Sequence, residues 1–263
     1  MVEKIKNFKF TRKVFSYPYM AFLLLFVVVP LALILVNAFI YNGKISFQNF
    51  ADFFTEKASL SVLGNSILVG LVTTTLCLVL GYPAAYFLAK YSTSKTFVLL
   101  FILPMWVNFL IRTLATKAIF TSLDIQLGMG TVVFGMVYNY LPFMILPLHT
   151  VLTSIDKSYS EAAQDLGADG FNVFIKTILP LSLPGIISGI TMVFIPTIST
   201  FAISQLLSDS TVFLFGDSIQ MKFDQGLYGV GSVMSLVMLI LVLVSNFFMS
   251  KFNKNNSTGR SIW

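Results

Sequence analysis

Charge is scarce in this sequence, and so are the side chains that most chemistry uses. Asp, Glu, Lys and Arg make up only 11% of the 263 residues, where a soluble domain carries about 25%. A chain with so few charges and 56% hydrophobic residues cannot cover itself with a polar surface. The single cysteine, Cys77, lies in the apolar run Leu71–Leu80, so no disulfide can form within the chain. The single histidine, His149, has no cysteine or carboxylate beside it, which suits a packing role better than a metal site. GxSxG and HExxH patterns are absent. So is a phosphate-cradling loop: its nearest approach, Gly170 to Thr177, carries Ile175 where the second glycine is needed for close backbone approach. The formal charge of +6 does not point to nucleic acid, because the basic residues flank apolar stretches and form no groove-like run among aromatics.

What is abundant is long apolar sequence. A spanning helix needs roughly 20 apolar residues, since backbone groups in lipid must bond within the helix. Six stretches reach that length: Tyr19–Ile40, Leu63–Ala89, Phe97–Phe120, Thr131–Leu152, Gly185–Leu206 and Gly229–Ser250. The first follows a basic segment like a signal peptide, but its apolar run is too long and no small-residue cleavage site follows, so it reads as a retained helix. The expectation is an all-α integral membrane protein, with residues 1–18 and 251–263 as terminal segments flanking a six-helix region over 19–250.

Basic residues set the orientation. With a cytoplasmic N-terminus, twelve of the 17 Lys and Arg fall inside: Lys4, Lys6, Lys9, Arg12, Lys13, Lys90, Lys95, Lys157, Lys176, Lys251, Lys254 and Arg260. Lys44, Lys57 and Lys222 fall outside, and Arg112 and Lys117 sit within the third apolar segment. Both termini are then cytoplasmic, and 153–184 is the longest inner loop. In that loop Glu161, Ala162, Ala163, Gln164 and Leu166 favour a helix that Gly167 would end, and Phe171, Phe174, Ile175 and Ile178 recur at helical spacing before Pro180. Periodicity alone fits two short helices projecting from the membrane or an amphipathic connector lying on it.

The loop resembles the EAA loop of permease subunits in ATP-binding-cassette importers. Glu161, Ala162, Ala163, Gly167, Leu179 and Pro180 stand in the family's positions, and Thr177 replaces the usual Ile. The resemblance implies the type I importer permease fold. It also implies a coupling role for Glu161, Ala162, Ala163, Asp165, Gly167, Leu179 and Pro180 against an ATPase dimer that uses ATP and Mg²⁺, with no cofactor bound by this chain. Further implied partners are a second permease subunit and an extracellular or periplasmic solute-binding protein. The segments Leu103–Thr113, Tyr138–Leu152 and Leu179–Ile190 are similar to permeases of spermidine/putrescine importers, which implies a polyamine as cargo.

An ionisable residue inside a membrane is costly and usually faces a cavity or a partner. Arg112 lies nearer the outer face, either as a pathway residue or as a snorkelling or helix-pairing arginine. Trp106, Asn108, Tyr138, Asn139, Tyr140, Thr197, Ser199, Thr200, Ser204 and Gln205 are candidates for lining the same cavity, and Asp209 and Asp217 join the outer acidic residues that would attract a cation. The polyamine resemblance implies a carboxylate near the outer end of the fifth span, where this chain has Gln205. An importer permease for another small solute remains open on these residues. An ion-coupled secondary transporter would need repeats or intramembrane titratable pairs, and neither is visible.

Overall fold

The computed structural model describes residues 16–91 and 95–258. Lys4, Lys6, Lys9, Arg12, Lys13 and Arg260, which bear on the orientation, lie outside them. Helix α1 (Ser16–Ala38) is a continuous span with a π turn at Leu24–Val28. A small antiparallel hairpin follows, β1 (Ile40–Tyr41) against β2 (Lys44–Ile45), with Asn42 and Gly43 at positive φ in the turn, as two-residue hairpin loops require. Helix α2 (Gln48–Thr55) is tied back to this corner by Asn49, whose Nδ2 donates to the carbonyls of Ala38 and Ile40 at 3.0 and 2.9 Å. Then come α3 (Lys57–Tyr91), α4 (Lys95–Ile102), α5 (Phe109–Ser122), α6 (Met129–Ser154), α7 (Lys157–Asp165), α8 (Gly170–Ser199), α9 (Ala202–Leu207), α10 (Phe215–Asp224) and α11 (Tyr228–Thr258).

Among the described residues, five helices are long and apolar enough to cross a bilayer: α1, α3, α6, α8 and α11. The sixth expected span is broken. Phe97–Phe120 is not one helix but α4, a 3₁₀ turn at Leu103–Trp106, and α5, with the two arms bent by 90°. The cause is local. Pro104 disfavours continuation through its neighbours, and Asn108 starts a new helix by accepting the Leu110 N–H at 2.8 Å. The expected fifth span is also displaced. Helix α8 begins at Gly170 and stops at Ser199, because Thr200 turns to extended backbone, so Phe201–Leu206 belongs to the next turn and α9. Phe171, Phe174, Ile175 and Ile178 therefore lie on the first turns of a spanning helix, not on a separate short one.

Helices α3, α6 and α8 pack together as the centre of the molecule, and α11 lies against α8 and α1. The inner part of this core joins Cys77, Tyr82 and Ala85 of α3 to Met144, Ile145 and Leu148 of α6 and to Ile178 and Val193 of α8. Van der Waals contact holds these helices together, because lipid leaves little hydrophobic drive between them. One polar staple crosses the core: Tyr82 Oη and Ser182 Oγ are 2.8 Å apart and buried. A second cluster at the other end gathers Ala38, Phe53, Ile198, Phe215, Val233 and Met234 around α10. The most apolar stretch of α1 buries none of its residues inside this chain.

Candidate translocation cleft and coupling turn

The bend between α4 and α5 borders a recess. A cleft of about 610 Å³ is lined by Trp106 and Asn108 at the bend, Arg112 on α5, Asn139, Tyr140 and Phe143 on α6, and Pro196, Ser199 and Thr200 at the end of α8. The carboxyl end of α8 thus borders the recess, and a helix C-terminus carries partial negative charge that favours a cation. The Oδ1 of buried Asn139 has no hydrogen-bond partner among the described residues, although its Nδ2 donates to Gly135 O at 2.8 Å. Trp106 is 84% exposed on the rim. Polar side chains, aromatic side chains and a helix end therefore border one space.

Arg112 stands against that pattern. It is 8% exposed, with Nε and Nη1 buried and without a partner among the described residues, and its guanidinium lies 5.7 Å from the centre of the Tyr138 ring. A ring face contributes about 0.5–2 kcal/mol, less than the several kcal/mol that an unpaired buried charge costs. Arg112 also borders a second cleft of about 420 Å³ with Tyr138, Thr116, Phe120 and Phe134, so it forms the wall between two recesses.

Of the residues singled out in sequence, Trp106, Asn108, Arg112, Asn139, Tyr140, Ser199 and Thr200 share the main cleft, Tyr138 lines the second, and Thr197 is fully buried and lines neither. Ser204 is turned elsewhere: it is fully buried and donates to Asp217 Oδ2 at 2.6 Å. Gln205 is half-buried beside the same carboxylate. Asp209 is paired with Lys117 at 2.5 Å in an exposed contact between α5 and the turn after α9. Met105, Phe143, Pro196 and Ile203 also line the main cleft, and no sequence signal pointed to them.

Asp217, expected at an exposed entrance, is fully buried. It caps α10, accepting the Leu214 N–H at 2.8 Å, which is one half of a capping box. Burial is the main cause that pushes its pKa up to about 6, against the opposing hydrogen bonds from Ser204 and Leu214. Its backbone neighbour Gly216 packs so closely on α8 that a Cβ there would lie 2.5 Å from the Thr200 carbonyl oxygen. Glycine is what allows α10 to close over the end of α8.

At the other end of the molecule, Asp156 starts α7 by accepting the Ser158 N–H at 2.9 Å. The helix ends in a Schellman motif. Gly167, at φ +83°, donates from its N–H to Gln164 O at 2.8 Å, and Ala168 N–H reaches Ala163 O at 3.1 Å. Asp169 then caps α8, accepting the Asn172 N–H at 2.8 Å. Leu166 projects from the corner 88% exposed, and Phe171 is exposed beyond it. Glu161 is exposed and borders a cleft of about 380 Å³ with Tyr86, Lys90, Asp156, Lys157 and Gln164. Ala162 and Asp165 are exposed, Ala163 packs on the inner core, and Leu179 and Pro180 lie further along α8.

Comparison with known proteins gives this geometry a family. Residues 78–257 match the model of the binding-protein-dependent transport system inner membrane component. The chain is 33% identical to a spermidine/putrescine transport system permease protein of Haemophilus influenzae, over 95% of this chain and 96% of that one. It is 36% identical to the counterpart in Escherichia coli, over 76% of this chain and 82% of the relative. Among solved structures, an alginate ABC transporter in complex with its alginate-bound periplasmic protein matches with TM-score 0.70 at 13% identity, covering 92% and 94% of the two chains. The MetNI methionine transporter matches with TM-score 0.59 at 16% identity, covering 76% and 99%. The fold is that of a type I ABC importer permease, and the chain belongs to the family of binding-protein-dependent transport system inner membrane components.

Proposed function

We propose that this chain is one of two permease subunits in an ATP-driven importer for polyamines such as spermidine or putrescine, and that it forms half of the path. The observation that carries the substrate class is identity spread over nearly the whole chain with a spermidine/putrescine permease. The cleft supports it: the end of α8 and the aromatic side chains of Trp106 and Tyr140 border it and suit an ammonium cargo. Coupling falls to the opposite end. The capped α7–α8 corner presents Leu166, Phe171 and Glu161 to a cleft on a separate ATPase, which binds and hydrolyses ATP with Mg²⁺. The basic asymmetry supports a cytoplasmic position for this corner and both termini, with Asp52 outside. A solute-binding protein delivers cargo from the outer side.

Uptake of radiolabelled spermidine and putrescine in cells carrying all subunits tests this reading. Deleting this subunit, the ATPase or the binding protein should each abolish it. If deletion of this subunit leaves both uptakes intact and stops import of a sugar or an anion, the polyamine reading is wrong.

A further inference from the structure

The arginine in the path needs a counter-charge, and none of the described residues provides one. The Nε and Nη1 of the Arg112 guanidinium are buried without partners among the described residues. Neither cleft that it borders has an Asp or Glu in its lining. The nearby pair Lys117–Asp209 is already closed on itself and exposed. A polyamine brings more positive charge and cannot neutralise a guanidinium. Among the described residues nothing supplies the counter-charge, which points to a source outside them.

The rim shows which side it enters from. Trp106 is exposed at the mouth of the cleft, and Leu103, Phe109 and Ile111 are exposed beside it on the two arms of the bend. An open cleft holding a buried positive charge, bordered by exposed apolar side chains, has the anatomy of half an interface: an apolar surround that excludes water and a charge left for the other half. We infer that a carboxylate of the second permease subunit enters this cleft and pairs with Arg112. This inference rests on the two-permease reading above.

The pair would consist of charge-assisted hydrogen bonds in a water-poor site, where a guanidinium fork adds geometric specificity. It would also explain how a cationic cargo passes an arginine. While the path is empty, the pair cancels both charges and leaves small cations no free carboxylate. When an ammonium cargo arrives, it competes for that carboxylate, and Arg112 can fall back on the Tyr138 ring.

The test is charge reversal in the complete complex of both permeases, ATPase and binding protein, reconstituted in proteoliposomes. Arg112→Glu should lower spermidine uptake at least about tenfold, a factor equivalent to about 1.4 kcal/mol, and should reduce recovery of the second permease on co-purification. Each acidic residue in the spans and outer loops of the second permease is then changed to lysine in turn. One such change, harmful alone, should restore assembly and bring uptake to within about threefold of wild type when combined with Arg112→Glu, the signature of a coupled pair. The rescue is readable even if Arg112→Glu alone fails to assemble. If no acidic position restores either readout, the inference is overturned. It is also overturned if the wild-type complex imports a radiolabelled carboxylate such as glutamate and Arg112→Gln does not, because Arg112 would then hold cargo. A purified complex with two copies of this chain and no second permease would instead overturn the two-permease reading.

Discussion

The α7–α8 corner and the cleft both contain helix ends, yet they differ in how completely their polar groups are satisfied. At the corner, Asp156 caps the start of α7, Gly167 and Ala168 close its end, and Asp169 caps α8. These bonds join residues at most five apart in sequence. In the cleft wall, Arg112 and Asn139 keep buried polar atoms without partners among the described residues, and their neighbours come from α5, α6 and α8. A rigid, self-contained corner can transmit force from a neighbour without reorganising. An unsatisfied wall is suited to exchanging partners, because buried polar groups left unpaired are costly and are relieved by an incoming ligand or subunit.

Breaking the corner should have the largest effect. Gly167→Pro fixes φ near −65° where +83° is needed and deletes the N–H that bonds Gln164. By analogy with proline in a helix interior, about 3 kcal/mol or more is at stake, enough to displace Leu166 and Phe171. Uptake should fall to background in a complex that still inserts and assembles at wild-type level. Normal uptake by such a complex would remove the corner from the coupling mechanism.

Behind the cleft, Asp217 offers an intermediate test. Its native pKa is pushed up from 3.8 to about 6, so the folded state holds a proton more tightly than the unfolded chain does. Stability from this group is therefore fully present below pH 3.8 and is lost as pH rises through about 6. Because each tenfold change in proton affinity is worth about 1.4 kcal/mol, the ceiling on this contribution is about 3 kcal/mol. Melting of the detergent-solubilised chain should thus be higher at pH 5 than at pH 7, and Asp217→Asn should flatten that difference. Asp217→Ala should lower the melting point at both pH values, because it strips the Leu214 cap and the Ser204 bond. A melting profile unchanged by Asp217→Asn would mean that the carboxyl does not titrate in this window.

The smallest effect belongs to the exposed contact between α5 and the turn after α9. Lys117→Ala removes an exposed ion pair with Asp209, and such pairs contribute about 0–1 kcal/mol. Melting should shift by no more than about 4 °C. A larger loss, insensitive to salt, would show that this contact holds α9 firmly against α5 and that the wall is as fixed as the corner.

Much of the corner was legible because its signals are local. Glu161-Ala-Ala followed by Gly167 places a helix and its stop within a few residues, and the left-handed turn needs only glycine. The break in the third span also had visible causes, in Pro104 and Asn108, but a strong hydropathy signal through Phe97–Phe120 masked them. Helix α10 was missed for a different reason. Phe215–Asp224 is short and mixed in character, and its start depends on Asp217, which looks in sequence like a solvent-facing acid.

By itself, the sequence determined that the chain spans a membrane, roughly where its long helices run and where the α7–α8 corner turns. Apolar length, proline, glycine and capping residues act over a single turn or a single span, so they can be read in one dimension. Only the tertiary structure decided that Ser204 faces Asp217 and not the cleft, that Asp209 is held by Lys117, and that Arg112, between two recesses, has no partner among the described residues. Pairing and desolvation of a polar group depend on which distant helices pack around it, and helices alike in apolar character do not carry that choice in their own residues.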